Sequence, residues 1–122
     1  MAEKKTVEKE DYVKSMFITM PSGERYELDF NREAVVFAER RGFVIDDVTK
    51  FPASLLPDFF YYAFRMHHKR LTRTQTDDIL DTLGGLSSAM VERLIQLYYQ
   101  AGYNGLVVKD DELKNSGVTV EL

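Results

Sequence analysis

Apolar and polar residues alternate from Arg25 to Phe30: Tyr26, Leu28 and Phe30 on one side, Arg25, Glu27 and Asp29 on the other. Period two over six residues predicts a half-buried strand. Phe17 and Ile18 lie just upstream, and Pro21-Ser22-Gly23-Glu24 between them supplies turn chemistry, so residues 15–30 read as a β-hairpin. Asn31 is a good N-cap for a short helix over Arg32–Arg41, and Gly42 is suited to end it. The segment from Phe43 to Phe51 reads as a connector with buried anchors. Pro52 and Pro57 then predict a short turn near 52–56, with the main helix starting near Pro57. In that helix Phe60, Ala63, Phe64 and His67 recur at i, i+3, i+4 and i+7, and further aromatics widen the apolar arc. Thr72-x-x-Gln75 has the form of a capping box, with Asp77 and Asp78 in the early helix that follows. Ile79, Leu80 and Leu83 form its stripe, Gly84-Gly85 ends it, and Ser87 or Ser88 caps a last helix carrying Met90, Val91, Leu94, Ile95, Leu97 and Tyr98.

The ends are less patterned. Residues 1–14 hold four lysines and four acidic residues with little to bury, which reads as a flexible lead. Residues 105–122 carry two short apolar runs, 106–108 and 118–122, and read either as an added strand or as disorder. Residues 15–104 are expected to form one α+β domain. A β-hairpin packs on a mainly helical bundle of about four helices, since a lone hairpin is marginal in water.

Composition narrows the function classes. The 122 residues are enough for one domain with a real core. Lys and Arg number 16 against 20 Asp and Glu, a net charge of −4, which argues against a dedicated nucleic-acid binder. The absence of cysteine removes thiolate chemistry, Cys-ligated metals and disulfides, and fits a reducing compartment. No apolar run has the length of a membrane span, and residues 1–14 lack the apolar core of a secretory signal.

Catalytic constellations are hard to find. His67 and His68 are adjacent, so on a helix they point about 100° apart and do not chelate one ion; one at the core edge and one in solvent is the simple expectation. Asp77 and Asp81 share a helix face, but helix-start electrostatics account for Asp77 and Asp78. Gly84-Gly85 lacks the context of a phosphate loop, and no GxSxG elbow is present. The sequence therefore predicts no enzyme, no cofactor and no metal site. Two features remain. Arg65–Arg73 is locally basic, with four or more cations and no acid; it fits a helix end or a docking patch. The doublets Tyr61-Tyr62 and Tyr98-Tyr99, with Tyr103, cannot all be internal.

The order of these features resembles the small tail assembly chaperones of long-tailed bacteriophages and their gene-transfer-agent relatives. The resemblance spans about residues 15–104. It rests on the hairpin ending in Leu28-Asp29-Phe30, the capped helix with Glu39 and Gly42, and the aromatic helix Tyr61 to His68. Leu71-Thr72, Ile79 to Gly84 and Val91 to Tyr99 follow in order. It implies a non-enzymatic assembly factor that binds the tape-measure protein, keeps it soluble and helps recruit the major tail protein. It also implies action in the host cytoplasm and absence from the mature virion. From expected exposure alone, Tyr61, Tyr62, Tyr99 and Tyr103 are the candidate grip, with Arg65, Lys69 and Arg70 as rim charges. The hairpin edge is a further candidate for self-association.

Two other readings compete. A head–tail joining or neck protein would form rings and persist in virions. A DNA-associated regulator would use helices near 73–83 and 88–101 as a helix-turn-helix, but the second carries only Arg93 as a cation and is a poor groove reader.

Overall fold

The computed structural model describes residues 12–103 together with 117, 119, 121 and 122. Strands β1 (Met16–Thr19) and β2 (Arg25–Leu28) pair antiparallel, Ile18 opposite Tyr26 and Met16 opposite Leu28. The turn closes through Met20 N–H to Glu24 O (2.7 Å) and Gly23 N–H to Met20 O (2.8 Å), with Gly23 at φ +94°, where a side chain would be strained. The alternation holds: Leu28 and Phe30 are buried, as is Ile18 on the same face of β1. Phe17 on the other face is half exposed, beneath the Arg25 guanidinium at 4.1 Å.

Helix α1 (Arg32–Arg40) starts where Asn31 accepts the Ala34 N–H at 2.8 Å. It ends in a Schellman arrangement: Gly42 N–H reaches Glu39 O and Phe43 N–H reaches Ala38 O, with Gly42 in the left-handed region. Phe43 and Val48 are the buried anchors of the connector, which includes a short 3-10 turn at Ile45–Asp47; Phe51, at its end, is exposed.

Helix α2 (Pro52–Ala63) differs from the sequence expectation at both ends. It begins at Pro52 and runs through Pro57 without a break. Pro57 forfeits one backbone bond, to the carbonyl of Ala53, and Ala53 lies at the exposed start of the helix where water can replace it. At the other end the helix stops at Ala63 instead of continuing to His68. The Ala63 carbonyl accepts the Asp29 N–H (3.1 Å), so β2 takes a bond the helix would otherwise use. Phe64 to His67 form turns, and His67 and His68 are not helical neighbours.

Helix α3 (Arg73–Leu83) has the full capping box: Gln75 N–H to Thr72 Oγ1 at 3.2 Å and Thr72 N–H to Gln75 Oε1 at 2.9 Å. The helix starts where the capping box puts it, so Asp77 and Asp78 fall beyond its first turn, which holds no acid. Asp77 instead accepts from Arg73 (2.9 Å), which also reaches Asp58 on α2 (2.6 Å). Gly84, at φ +74°, ends α3. Ser87 caps helix α4 (Ser88–Gly102). Tyr12–Lys14, assigned to the lead, run along α4: Gln100 accepts from Val13 N–H (2.8 Å) and donates to Val13 O (3.0 Å). Residues 1–11 and the apolar run 106–108 lie outside the described residues, as do 118 and 120 of the second run.

The result is the α+β arrangement of a hairpin and four helices. Its centre is aromatic. Phe59 is fully buried, stacked on Phe30 (5.4 Å) and on Phe43 (5.3 Å), with Tyr98 edge-on to all three. Among the described residues no helix is long and apolar enough to cross a membrane.

Candidate functional site

A helix repeats its faces every four residues or so, and α1 therefore presents two adjacent ridges: Arg32, Val36, Arg40 and Glu33, Phe37, Arg41. Each has an apolar middle and a cation at its C-terminal end. The turn after α2 brings Arg65 onto this surface. The Arg41 and Arg65 guanidinium carbons lie 4.2 and 4.1 Å from the centroid of the Phe37 ring. Both guanidinium groups therefore pack on the Phe37 ring. Each such contact contributes about 0.5–1 kcal/mol at an exposed site. Arg65 is fixed further by Glu33, whose Oε1 accepts from Nε (3.2 Å) and Nη2 (3.0 Å), and Lys69 lies 3.7 Å from Glu33 Oε2. The surface is a shallow concavity of about 770 Å³. It has an apolar floor of Val36 and Phe37 and is rimmed by Arg32, Arg40, Arg41 and Arg65.

The residues singled out from the sequence divide into three groups. Tyr61, Arg65 and Lys69 gather beside Phe37, with the Tyr61 and Phe37 rings 6.4 Å apart. Arg70 sits in a neighbouring concavity of about 640 Å³, with Glu24, Tyr26 and His68. Tyr99 and Tyr103 are elsewhere, at the end of α4. Tyr99 donates to Asp46 Oδ1 at 2.5 Å, which raises its hydroxyl pKa, and Tyr103 is 56% exposed. Buried Tyr62, Phe43 and Tyr98 lie between the two sets.

Tyr62 corrects the sequence reading. It is only 6% exposed, edge-on to Phe37 and Phe43, and burial raises its hydroxyl pKa. Consecutive helix residues point about 100° apart, so the surface that takes Tyr61 leaves Tyr62 in the core. The sequence reading also passed over Arg32, Phe37, Arg40 and Arg41. Their four-residue repeat is present in the sequence, but cations at 40 and 41 are also what a helix C-terminus favours, so the repeat by itself does not mark a surface.

Around the hairpin, His68 is half buried and its Nε2 accepts the Glu27 N–H at 3.0 Å. Burial lowers its pKa, with the neighbouring His67 adding to the effect. His67 is exposed, with Nε2 at 3.4 Å from Glu27 Oε2. Asp29 completes a group with these two: one donor atom from each residue lies within 4.8 Å of the others. Asp29 is partly buried, which raises its carboxyl pKa. On α4, Arg93 is occupied in donating to the Lys14 carbonyl (3.2 Å). A more apolar concavity of about 540 Å³ lies between Leu56, Leu86, Val91 and Ile95.

No curated protein and no solved structure matches the chain. A family match runs over residues 3–122, nearly the whole length, so the chain belongs to the family described as Domain of unknown function (DUF5055).

Proposed function

We propose that this chain is a non-enzymatic tail assembly chaperone of a long-tailed phage. It binds the tape-measure protein, keeps it soluble and helps recruit the major tail protein, acting in the host cytoplasm and leaving before the virion matures. The order of hairpin, capped helix, aromatic helix and two short capped helices supports the family resemblance. The observation that carries the reading is the α1 surface, where Val36 and Phe37 form an apolar floor and Arg41 and Arg65 pack on the Phe37 ring at its rim.

A tape-measure segment is helical, with apolar stripes that aggregate when uncovered. A groove with an apolar floor and a cationic rim suits the apolar stripe of such a helix and the carboxylates that flank it. Arginine is the better cation here, because its planar fork pairs with carboxylates in a bidentate manner. The packing on Phe37 and the bonds to Glu33 hold Arg65 in place before binding, which lowers the entropy lost on association. Tyr61 and Lys69 extend the same surface.

The test is co-expression of this chain with a fragment of a phage tape-measure protein. The fragment is expected in the soluble fraction with the wild type. It is expected in the pellet with Arg40→Glu combined with Arg41→Glu, with circular dichroism showing that the variant is folded. A fragment that precipitates equally with and without the wild-type chain sinks the proposal. Mass spectrometry of purified virions supplies the second arm: the chain is expected to be missing, and its presence in stoichiometric amounts would point to a joining protein instead.

A further inference from the structure

Glu27, Asp29 and His67 are brought together from two distant parts of the chain. Glu27 and Asp29 are two residues apart along the strand direction, so they lie on one side of β2, opposite buried Leu28 and Phe30. His67 comes from the turn after α2. That turn is fastened to the strand at two points, Asp29 N–H to Ala63 O (3.1 Å) and Glu27 N–H to His68 Nε2 (3.0 Å). The backbone that carries all three side chains is thus fixed on both sides of the cluster.

We infer that these three residues form a binding site for a divalent transition-metal ion of the Zn²⁺ type, with water completing the coordination. Four arguments support it. An imidazole with two carboxylates is a donor set such ions accept, with bonds of about 2.0–2.2 Å. Tetrahedral bonds of that length put neighbouring donor atoms about 3.3 Å apart; Glu27 Oε2 and His67 Nε2 are 3.4 Å apart, and one donor atom of Asp29 lies within 4.8 Å of the others. The second histidine is not a competitor, because its Nε2 is occupied by the Glu27 N–H. Charge also points the same way. Among the described residues neither carboxylate has a Lys or Arg ion-pair partner: Glu27 has only His67, and Asp29 has none. Two carboxylates against a single imidazole leave the cluster net negative, and a divalent cation would offset that charge.

Neighbouring bonds orient the ligands in the way metal sites use. The Ser15 hydroxyl donates to Glu27 Oε2 (2.7 Å), and Asp29 Oδ1 accepts from Phe30 N–H (2.7 Å), leaving Oδ2 for the ion. Bound metal would tie the hairpin to the end of α2 and so favour the folded chain by mass action.

The experiment is isothermal titration of the full chain with ZnCl₂ after EDTA treatment and dialysis, with MgCl₂ as control, alongside thermal melts. One equivalent of Zn²⁺ is expected to bind and to raise the melting temperature, and Mg²⁺ is expected to do neither. Asp29→Asn keeps the oxygen that accepts from Phe30, so the fold is preserved while a charged ligand is lost. It and His67→Gln are each expected to weaken Zn²⁺ binding by at least about tenfold. Co²⁺ is expected to give a visible d–d spectrum in the wild type that both variants lack. The inference is overturned if the wild type binds no Zn²⁺, or if both variants bind it as tightly as the wild type.

Discussion

The doublet Tyr61-Tyr62 closes α2 and the doublet Tyr98-Tyr99 lies near the end of α4, and each is split between core and surface in the opposite order. At α2 the second tyrosine is buried and the first faces outward; at α4 the first is buried and the second faces outward. The two outer rings also meet opposite charge. Tyr61 lies beside Phe37 and Arg65, whereas the Tyr99 hydroxyl is bound to the Asp46 carboxylate. Identical residue pairs on similar helices thus serve different surfaces. Only the cationic one combines aromatic floor with rim charges suited to an acidic, amphipathic partner.

The largest effect is expected in the core that both helices share. Phe59→Ala removes the ring stacked between Phe30 and Phe43 and is expected to cost about 3–5 kcal/mol in urea unfolding. A loss below about 1 kcal/mol would mean the core is not centred on α2. Next is the tightest contact near the end of α4. A Cβ on Gly102 would sit 2.7 Å from Val35 Cγ1, and Val35 is buried and stiff at χ1. Gly102→Ala is therefore expected to destabilise by about 1–3 kcal/mol, despite the better helix propensity of alanine.

A smaller effect tests the α2 end. His68 is held neutral by burial, with a folded pKa below the ordinary 6.5. The unfolded chain therefore takes up its proton first as pH falls. The His68 contribution is complete above pH 6.5 and is lost below it, towards the lowered folded value. Asp29, raised by burial, acts with the opposite sign, its contribution to stability growing as pH falls. The measurement is thus the difference in melting temperature between wild type and His68→Gln in EDTA, from about pH 5 to about pH 8. Glutamine can still accept from Glu27 N–H, and its curve is expected to fall less steeply in acid. An identical slope for both would remove His68 as the cause. The smallest effect is at the α4 end: Tyr99→Phe gives up an exposed bond to Asp46 and is expected to change stability by no more than about 0.5 kcal/mol.

What could be read from the sequence was local. Asn31, Thr72 with Gln75, Ser87 and the glycines 42 and 84 each mark a helix boundary through bonds within a few residues, and each stands where the pattern puts it. The hairpin was legible for the same reason. What was not legible depends on distant partners. Helix α2 ends where Asp29 claims the Ala63 carbonyl, 34 residues away in sequence, and no residue near Ala63 announces that. The same contact places His67 beside Glu27 and Asp29, so the cluster has no spacing motif to find. Of the seven site residues, Tyr61, Arg65 and Lys69 do converge. The arginines that complete their surface look in sequence like ordinary helix-end cations, and Tyr62 needs the packing of Phe37 and Phe43 to be assigned to the core.

The bonds that fasten β2 to the end of α2 also limit how the sheet can grow. Glu27 and Asp29 spend their outward N–H groups on His68 and Ala63, so that edge cannot template another strand. A second copy can add only along β1, where Arg25 covers Phe17. Four strands joined in that way would end on β2 at both sides, both already closed. Sheet-mediated association of the described region therefore terminates at a pair of chains and has no route to a fibre.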